Sequence, residues 1–339
     1  MPRSSSSSGS RRFCACGDWK AISGHRGQHS RPARDRHDCI RSRHSAGHNH
    51  GWALTTDARQ RVVVAGRSAH YRGNTSQYDY WLALARLTPQ GQLDPTFADG
   101  GAYETMLQVD QPDNPRDIVY DNPGSVGLDR QGRIIVPGSV LAPVSDAVVF
   151  RTLPGGDADA GFGDDGLLRL HMPSGSGGAA LPLDDGSMLV TGGNWVDTFT
   201  TGIFLERVLQ DGALDPRFGV EGIGEIPLPE GMGGGALITP TGDGGWLVAG
   251  PISTGASDID GLGVAVAKFD ANGIPDADFA SNGLAMIGLP DGRFLTAVGM
   301  ALQPDGRLLA AGSIGEGPGQ VPHFAVIRIV IDAGITHRD

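Results

Sequence analysis

Cysteine, aromatic residues and long apolar runs are all scarce in this chain of 339 residues. The three cysteines, Cys14, Cys16 and Cys39, lie in the first fifty residues, so disulfides do not hold the remainder together. No run approaches the 18 apolar residues of a membrane helix, and no hydrophobic segment that would mark a signal peptide follows the basic N-terminus. Helical apolar spacing is absent, and 53 glycines with 22 prolines interrupt the chain frequently. These absences favour an all-β protein without a membrane span.

A fifteen-residue pattern, basic–x4–Gly–x2–Asp–x2–Phe–x3–Gly, occurs four times without insertion or deletion. The copies are Arg86–Gly91–Asp94–Phe97–Gly101, Arg151–Gly156–Asp159–Phe162–Gly166, Arg207–Gly212–Asp215–Phe218–Gly222 and Lys268–Gly273–Asp276–Phe279–Gly283. A period near sixty residues with strand and turn signals is typical of β-propellers and related arrays.

A second element alternates with this pattern: a turn residue stands six positions before a glycine, with a strand-like run between them. The pairs are Gln60/Gly66, Gly132/Gly138, Gly186/Gly192, Gly244/Gly250 and Gly306/Gly312. The turn Pro304-Asp305-Gly306 predicts a β-hairpin, because proline presets φ and glycine accepts a left-handed conformation. Each unit then contains four strands, so we expect a β-propeller-like array of about five four-stranded antiparallel blades over 51–339.

The Leu-Asp-Pro-x-Phe turns at 93–97 and 214–218 and the segment Gln-Pro-Asp-Gly-Arg-Leu-Leu-Ala-Ala-Gly at 303–312 resemble the delta-60 repeat family. The resemblance covers roughly 51–331, although the second and fourth copies keep only the Asp and Phe of the turn. That family consists of bacterial propeller-like repeats of unknown function. The resemblance therefore implies a fold and favours a secreted or cell-surface location, and it implies no catalytic residues.

The first fifty residues differ in composition from the repeats. They carry 10 basic and 3 acidic residues, a charge of +7, whereas the rest of the chain carries 17 and 35, a charge of −18. Few apolar residues are present to offset the entropy of ordering, so we expect 1–50 to be a disordered tail or a misread segment. An acidic body of this charge should repel nucleic acid.

Two functional interpretations of the tail compete with disorder. A zinc site would use the three cysteines with nearby histidines, but Cys-x-Cys is not the usual knuckle spacing. The candidate ligands are Cys14, Cys16, Cys39, His25, His29, His44 and His48. A basic arm for nucleic acid lacks interleaved aromatic residues.

The repeated Asp, basic residue and Phe are predicted to be structural rather than catalytic. The Asp fits an Asx-turn better than a calcium loop, which needs several oxygens at close intervals. The basic residue could form an anion-binding ring, but a pair with the Asp eight positions later explains the fixed spacing more simply. These twelve positions are Arg86, Asp94, Phe97, Arg151, Asp159, Phe162, Arg207, Asp215, Phe218, Lys268, Asp276 and Phe279.

From the sequence alone we expect a non-catalytic structural or binding module, a monomer without cofactor or metal, whose partner is an unidentified protein or carbohydrate. The alternative is a propeller hydrolase or lyase with its site in the central channel. A cluster of His, Glu and Asp from different blades, converging within about 5 Å, would favour the enzyme.

Overall fold

The computed structural model describes residues 49–71, 78–107, 119–121, 123–141, 145–171, 175–194, 202–228, 232–253, 262–288, 294–315 and 323–331. Internal contacts divide the chain into 1–41 and 42–339, and all described residues belong to the second unit. The tail at 1–48, with its candidate metal ligands, lies outside the described residues. The described part of the chain is all-β and contains no helix.

The strands form five consecutive sets, which we call repeats 1 to 5. Repeat 1 contains β1 (His50–Thr56), β2 (Val62–Tyr71), β3 (Tyr78–Leu87) and β4 (Ala102–Thr105); repeat 2 contains β5 (Val119–Asp121), β6 (Gly127–Leu128), β7 (Ile134–Leu141), β8 (Ser145–Thr152) and β9 (Leu167–Arg169); repeat 3 contains β10 (Gly175–Pro182), β11 (Met188–Asn194), β12 (Gly202–Val208) and β13 (Ile223–Pro227); repeat 4 contains β14 (Met232–Gly234), β15 (Leu237–Pro240), β16 (Trp246–Ser253), β17 (Leu262–Phe269) and β18 (Leu284–Ile287); repeat 5 contains β19 (Phe294–Leu302), β20 (Leu308–Gly315) and β21 (His323–Ile329).

Within each repeat all strand pairs are antiparallel, and all but β5–β7 and β14–β16 join strands that are consecutive in the chain. Repeat 1 is a sheet of order β1-β2-β3-β4, and repeat 2 has the order β5-β7-β8-β9 with β6 also paired to β7. Repeats 3 and 4 form one nine-stranded sheet, because β14 pairs with both β11 and β16. Repeat 5 is the three-stranded sheet β19-β20-β21. Strands that are consecutive in sequence commonly pair, because a short connection is enough to join them.

The hairpin turns form where the sequence predicts them. In each, the amide of the turn residue donates to the carbonyl three residues earlier, as from Gly132 to Asp129 and from Gly306 to Gln303. Gly132, Gly186, Gly244 and Gly306 all have positive φ, between 78° and 87°. Gln60 takes the same conformation in repeat 1, with φ of 60°.

The apolar core lies between repeats rather than within them. One buried cluster joins each successive pair of repeats. Because successive side chains of a strand point to opposite faces of its sheet, adjacent residues of one strand belong to different clusters. In β8, for example, Val148 and Phe150 pack toward repeat 1, whereas Ala147 and Val149 pack toward repeat 3. The buried clusters of the described residues include none that joins repeat 5 to repeat 1.

Glycines let the first strands of neighbouring repeats approach backbone to backbone. A Cβ at Gly178 would lie 1.7 Å from the carbonyl oxygen of Gly235, and one at Gly124 would lie 2.1 Å from that of Gly178. Since real Cβ atoms do not come this close, any side chain here would force the repeats apart.

Candidate functional site

The basic residue and the Asp of the repeated pattern lie together in all four copies; with the Phe they form what we call the corner of each repeat. The Nε of Arg86 and of Arg151 lies 2.8 Å from the Oδ2 of Asp94 and Asp159, respectively. Lys268 Nζ lies 2.8 Å from Asp276 Oδ2, and Arg207 Nε lies 3.6 Å from Asp215 Oδ2.

The carboxylate of each corner also closes an Asx-turn. Its Oδ1 accepts the amide two residues later, at 3.0 Å from Thr96 and 3.2 Å from Gly161. A further hydrogen bond from the Thr96 hydroxyl holds the pKa of Asp94 well below its ordinary value. The side-chain hydrogen bond of Lys268 likewise lowers the pKa of Asp276. These carboxylates are thus held ionised, in structural contacts.

The arginines of the first two corners also bind the following repeat, whereas Arg207 and Lys268 pair with Asp185 and Asp243 of their own repeats. Arg86 Nη1 donates to the Pro154 carbonyl at 2.6 Å, and Arg151 Nη2 donates to the Gln210 carbonyl at 2.8 Å. The four Phe side chains are buried, and Phe218 packs so closely on Gly273 that a Cβ there would lie 2.4 Å from the ring. The twelve predicted positions are therefore distributed over the contacts between repeats and do not converge on one site.

The corner of repeat 2 borders a cavity of about 580 Å³ and departs from that of repeat 1. Arg151 is 1% exposed, and its Nη1 has no hydrogen-bond partner among the described residues. Arg133 lies in the same cavity, with its Nη1 3.6 Å from Asp159 Oδ2. Burial, and then the nearby charge of Arg133, lower the pKa of Arg151.

A histidine and a buried glutamate from different repeats meet at a second cleft. His171 follows β9 of repeat 2, and Glu206 lies on β12 of repeat 3. The Glu206 side chain is completely buried and accepts the His171 backbone amide at 3.1 Å and 3.3 Å. The Nδ1 atom of the exposed His171 ring lies 3.8 Å from Glu206 Oε2.

The cleft beside His171 has a volume of about 600 Å³ and mainly apolar walls. Phe204 and Ile223 come from repeat 3, Ile274 and Pro275 come from repeat 4, and Glu225 contributes a carboxylate to the lining, whereas the buried Glu206 lies behind His171 and outside it. A cleft of this size with few polar groups is typical of a small-molecule site. An imidazole held by a buried carboxylate can accept or donate a proton. We call this the His171 cleft.

Sequence reasoning did not identify Glu206 as a site residue, although a signal was available. The position before the basic residue of β3, β8, β17 and β21 is Ala85, Phe150, Ala267 or Ile327. A glutamate at this apolar strand position breaks the pattern, and such departures concentrate at functional sites. His171 had no partner assigned from the sequence, because Glu206 lies 35 residues away in the next repeat.

His70 has a different arrangement. Its Nε2 lies 3.1 Å from Ser68 Oγ and 3.4 Å from Glu104 Oε2, and its ring stacks on Trp81 with centroids 4.0 Å apart. Because both partners reach the same nitrogen, the carboxylate cannot orient His70 as a base for Ser68 through the other nitrogen. Within the described ranges, no group of three or more His, Cys, Asp and Glu side chains is arranged to hold a metal ion.

The family comparison agrees with the repeat architecture. A model described as a beta-propeller domain of unknown function (DUF5122) matches residues 61–97. This match supports a bacterial β-propeller repeat family. No curated protein sequence matches the chain. In the described residues no helix has the length and apolar character needed to cross a membrane.

Similar solved structures include an endo-arabinase from Bacteroides thetaiotaomicron, with 12% identity, 83% of this chain and 94% of that chain covered, and a TM-score of 0.40. The GH93 alpha-L-arabinofuranosidase of Fusarium graminearum has 8% identity, coverage of 81% and 80%, and a TM-score of 0.41. A mannose phosphorylase from Leishmania mexicana has 15% identity, coverage of 84% and 89%, and a TM-score of 0.39. At these identities the likeness is one of fold.

These neighbours correct the function expected from the sequence. All three are named as enzymes, which contradicts the expectation of a non-catalytic module and the preference against enzymatic activity. That expectation rested on missing catalytic motifs, and a site built from residues of different repeats would leave no such motif.

Proposed function

We propose that this β-propeller-like protein is an enzyme, a hydrolase or lyase that works in the His171 cleft. The observation that carries the proposal is the pairing of the exposed His171 ring with the fully buried Glu206 carboxylate across two repeats, 3.8 Å apart. A buried carboxylate is costly unless its partners compensate it, so its presence at an otherwise apolar strand position needs a reason. Orientation of an acid–base histidine is such a reason.

In this proposal the two side chains have different roles. Glu206 is a positioning residue: it faces Nδ1 of His171 and leaves Nε2 to exchange a proton with the substrate. The separation of 3.8 Å is longer than a hydrogen bond, and such contacts commonly shorten when substrate binds. Glycosidic hydrolysis and elimination both require a proton transfer that this pair can provide.

The walls of the cleft favour a substrate with apolar and hydroxylated faces, such as a sugar residue. Phe204, Ile223, Ile274 and Pro275 would contact its C–H groups, and Glu225 would accept hydroxyl hydrogen bonds. The alternative drawn from the sequence placed an enzyme site in the central channel. We place it between repeats instead, because repeats 2 to 4 approach one another at their first strands through the backbones of Gly124, Gly178 and Gly235, which carry no side chain.

We also infer that the five repeats are delta-60-like blades of a β-propeller-like array. Repeats 1 to 4 each have their fourth strand after the Phe turn, and in repeat 5 three strands are described. The order of the four buried clusters supports stacking of consecutive repeats.

The test is turnover of a panel of nitrophenyl glycosides and polysaccharides by the full chain. On any substrate turned over, His171→Gln should lower kcat/KM at least about 100-fold. Glu206→Gln keeps an acceptor for the His171 amide; it should lower kcat/KM and change its pH dependence, which a purely structural role would leave unchanged. Glu221→Gln, an exposed acid outside the cleft lining, is the matched control. Full activity in His171→Gln, or no turnover across the panel, would overturn the proposal.

A further inference from the structure

Repeat 5 exposes a sheet face that is covered in every preceding repeat. Phe324 and Val326 on β21 are 81% and 55% exposed. They lie four and two residues before the basic residue of their strand. Leu82 and Leu84 hold the same two positions in repeat 1, and both are fully buried. The difference follows from position, because repeats 1 to 4 are each covered by the next repeat at this face. We call Phe324, Val326 and Arg328 the tail face.

Repeat 1 exposes the opposite half of the same contact. Leu54 on β1 is 70% exposed, whereas Ile238, at the same distance from the hairpin turn in repeat 4, is buried against repeat 3. The pattern glycines Gly156 and Gly273 lie against Phe97 and Phe218 of the preceding repeat. A Cβ at Gly91 would meet nothing within 4 Å. We call Trp52, Leu54 and the turn at Gly91 the head face.

The polar parts of the two faces also correspond to the contacts between repeats. Arg328 occupies the position of Arg86 and Arg151, which donate to carbonyls of the next repeat, and of Arg207 and Lys268, which donate to aspartates of their own repeats. The carbonyl of Pro89 beside Gly91 occupies the position of those acceptors, Pro154 and Gln210. Arg328 pairs at 2.6 Å with Asp305 of its own hairpin turn, as Arg207 and Lys268 pair with Asp185 and Asp243. The apolar residues of the two faces therefore carry the proposed contact.

We propose that the tail face binds the head face of a second copy of this chain, continuing the contact that joins its own repeats. The two faces differ, so the association is head-to-tail and leaves one free face at each end of a dimer. Such contacts produce closed rings or longer assemblies. The monomer expected from the sequence would then be populated only at low protein concentration.

The experiment measures molar mass by light scattering and sedimentation over a wide range of protein concentration. The wild-type mass should rise with concentration. Leu54→Arg, which breaks the head face, and Phe324→Arg, which breaks the tail face, should each be monomeric. An equimolar mixture of the two variants should form a one-to-one dimer, because each retains the face that the other lacks. Val220→Arg, at a 74% exposed position on neither face, is the matched control and should associate like wild type.

Three results would overturn the proposal. The first is a monomeric wild type at about 100 µM. The second is a mixture of the two variants that stays monomeric although both variants melt like wild type. The third is a monomeric wild type together with a lower melting temperature in both variants. That result would mean that the two faces meet within one chain.

Discussion

The corners of repeats 1 and 2 use the same three residue types and differ by one hydroxyl. Arg86 donates to Asp94, to the Pro154 carbonyl and, through Nη2, to Thr96 Oγ1 at 3.1 Å. Arg151 donates to Asp159 and to the Gln210 carbonyl, and Gly161 stands where repeat 1 has Thr96. The glycine provides no acceptor; in repeat 2 the Gln210 carbonyl accepts from Nη2, the nitrogen that donates to Thr96 in repeat 1. Nη1 of the buried Arg151 has no hydrogen-bond partner among the described residues. The carboxylate and the neighbouring carbonyl are therefore sufficient to place the arginine, and the hydroxyl only completes its hydrogen bonding.

In the hairpin turns of the same two repeats, it is repeat 1 that lacks the favoured residue. Repeat 2 has Gly132 at the left-handed position, whereas repeat 1 has Gln60 there with φ of 60°. A side chain in this conformation is strained, since its Cβ crowds the following carbonyl. Repeat 1 thus combines a complete corner with a strained turn, and repeat 2 combines an incomplete corner with a relaxed turn.

The largest effect should come from removing the carboxylate that both corners share. Asp159→Ala leaves the buried Arg151 with one carbonyl acceptor and the adjacent charge of Arg133, so we expect a loss of about 3–5 kcal/mol. Arg61 lies beside Asp94 as Arg133 lies beside Asp159, so this second arginine is common to both corners. Asp94→Ala should cost less, because Arg86 keeps Thr96 Oγ1 as well as the Pro154 carbonyl. Urea denaturation midpoints of the two variants measure the difference.

A double variant controls for the loss of packing. Arg151→Met in the Asp159→Ala background removes the uncompensated charge and should recover part of the stability. If Asp159→Ala costs no more than Asp94→Ala, the missing hydroxyl has no energetic consequence and the comparison of the corners fails.

Much of the fold could be predicted from the sequence because the repeat fixes strand order and turn position. The spacing from Gly132 to Gly138 requires a hairpin, and the alternation in β8 requires two buried faces. The contacts between repeats could not be predicted in this way. That Gly156 lies against Phe97 depends on how two sheets stack, which the pattern within one repeat does not encode.

The candidate site was harder to predict for the same reason. His171 and Glu206 belong to different repeats and meet only because the end of repeat 2 lies against β12. Sequence reasoning gave weight to positions that recur, such as Asp94 and Asp159, and recurrence marks structural roles. The useful signal was the position that fails to recur, Glu206 among apolar residues.

A smaller effect is expected from giving repeat 2 the hydroxyl of repeat 1. Gly161→Thr gives Asp159 the hydroxyl donor that Asp94 has in Thr96, and it restricts the unfolded chain, so it should stabilise by about 1 kcal/mol. The site accepts a side chain: φ of Gly161 is outside the left-handed region, and the nearest atom to a new Cβ is Asp159 Oδ1 at 3.4 Å. Gly161→Val, which has a similar shape without the hydroxyl, separates the two contributions. Equal melting temperatures for Thr and Val would show that the hydrogen bond adds nothing.

The smallest effect should come from giving repeat 1 the turn residue of repeat 2. Gln60→Gly relieves a left-handed conformation that costs other residues about 1–2 kcal/mol, but it also frees the unfolded chain by about 0.5–1 kcal/mol. The net stabilisation should be about 0.5 kcal/mol, measured as a rise in the urea midpoint at unchanged slope. Gln60→Ala keeps the strain and should give no gain, while Gly132→Ala introduces the strain into repeat 2 and should destabilise. Because Gln60→Gly and Gly161→Thr act in different repeats, their effects should add, and a clear departure from additivity would mean that the turn of one repeat is coupled to the corner of the next.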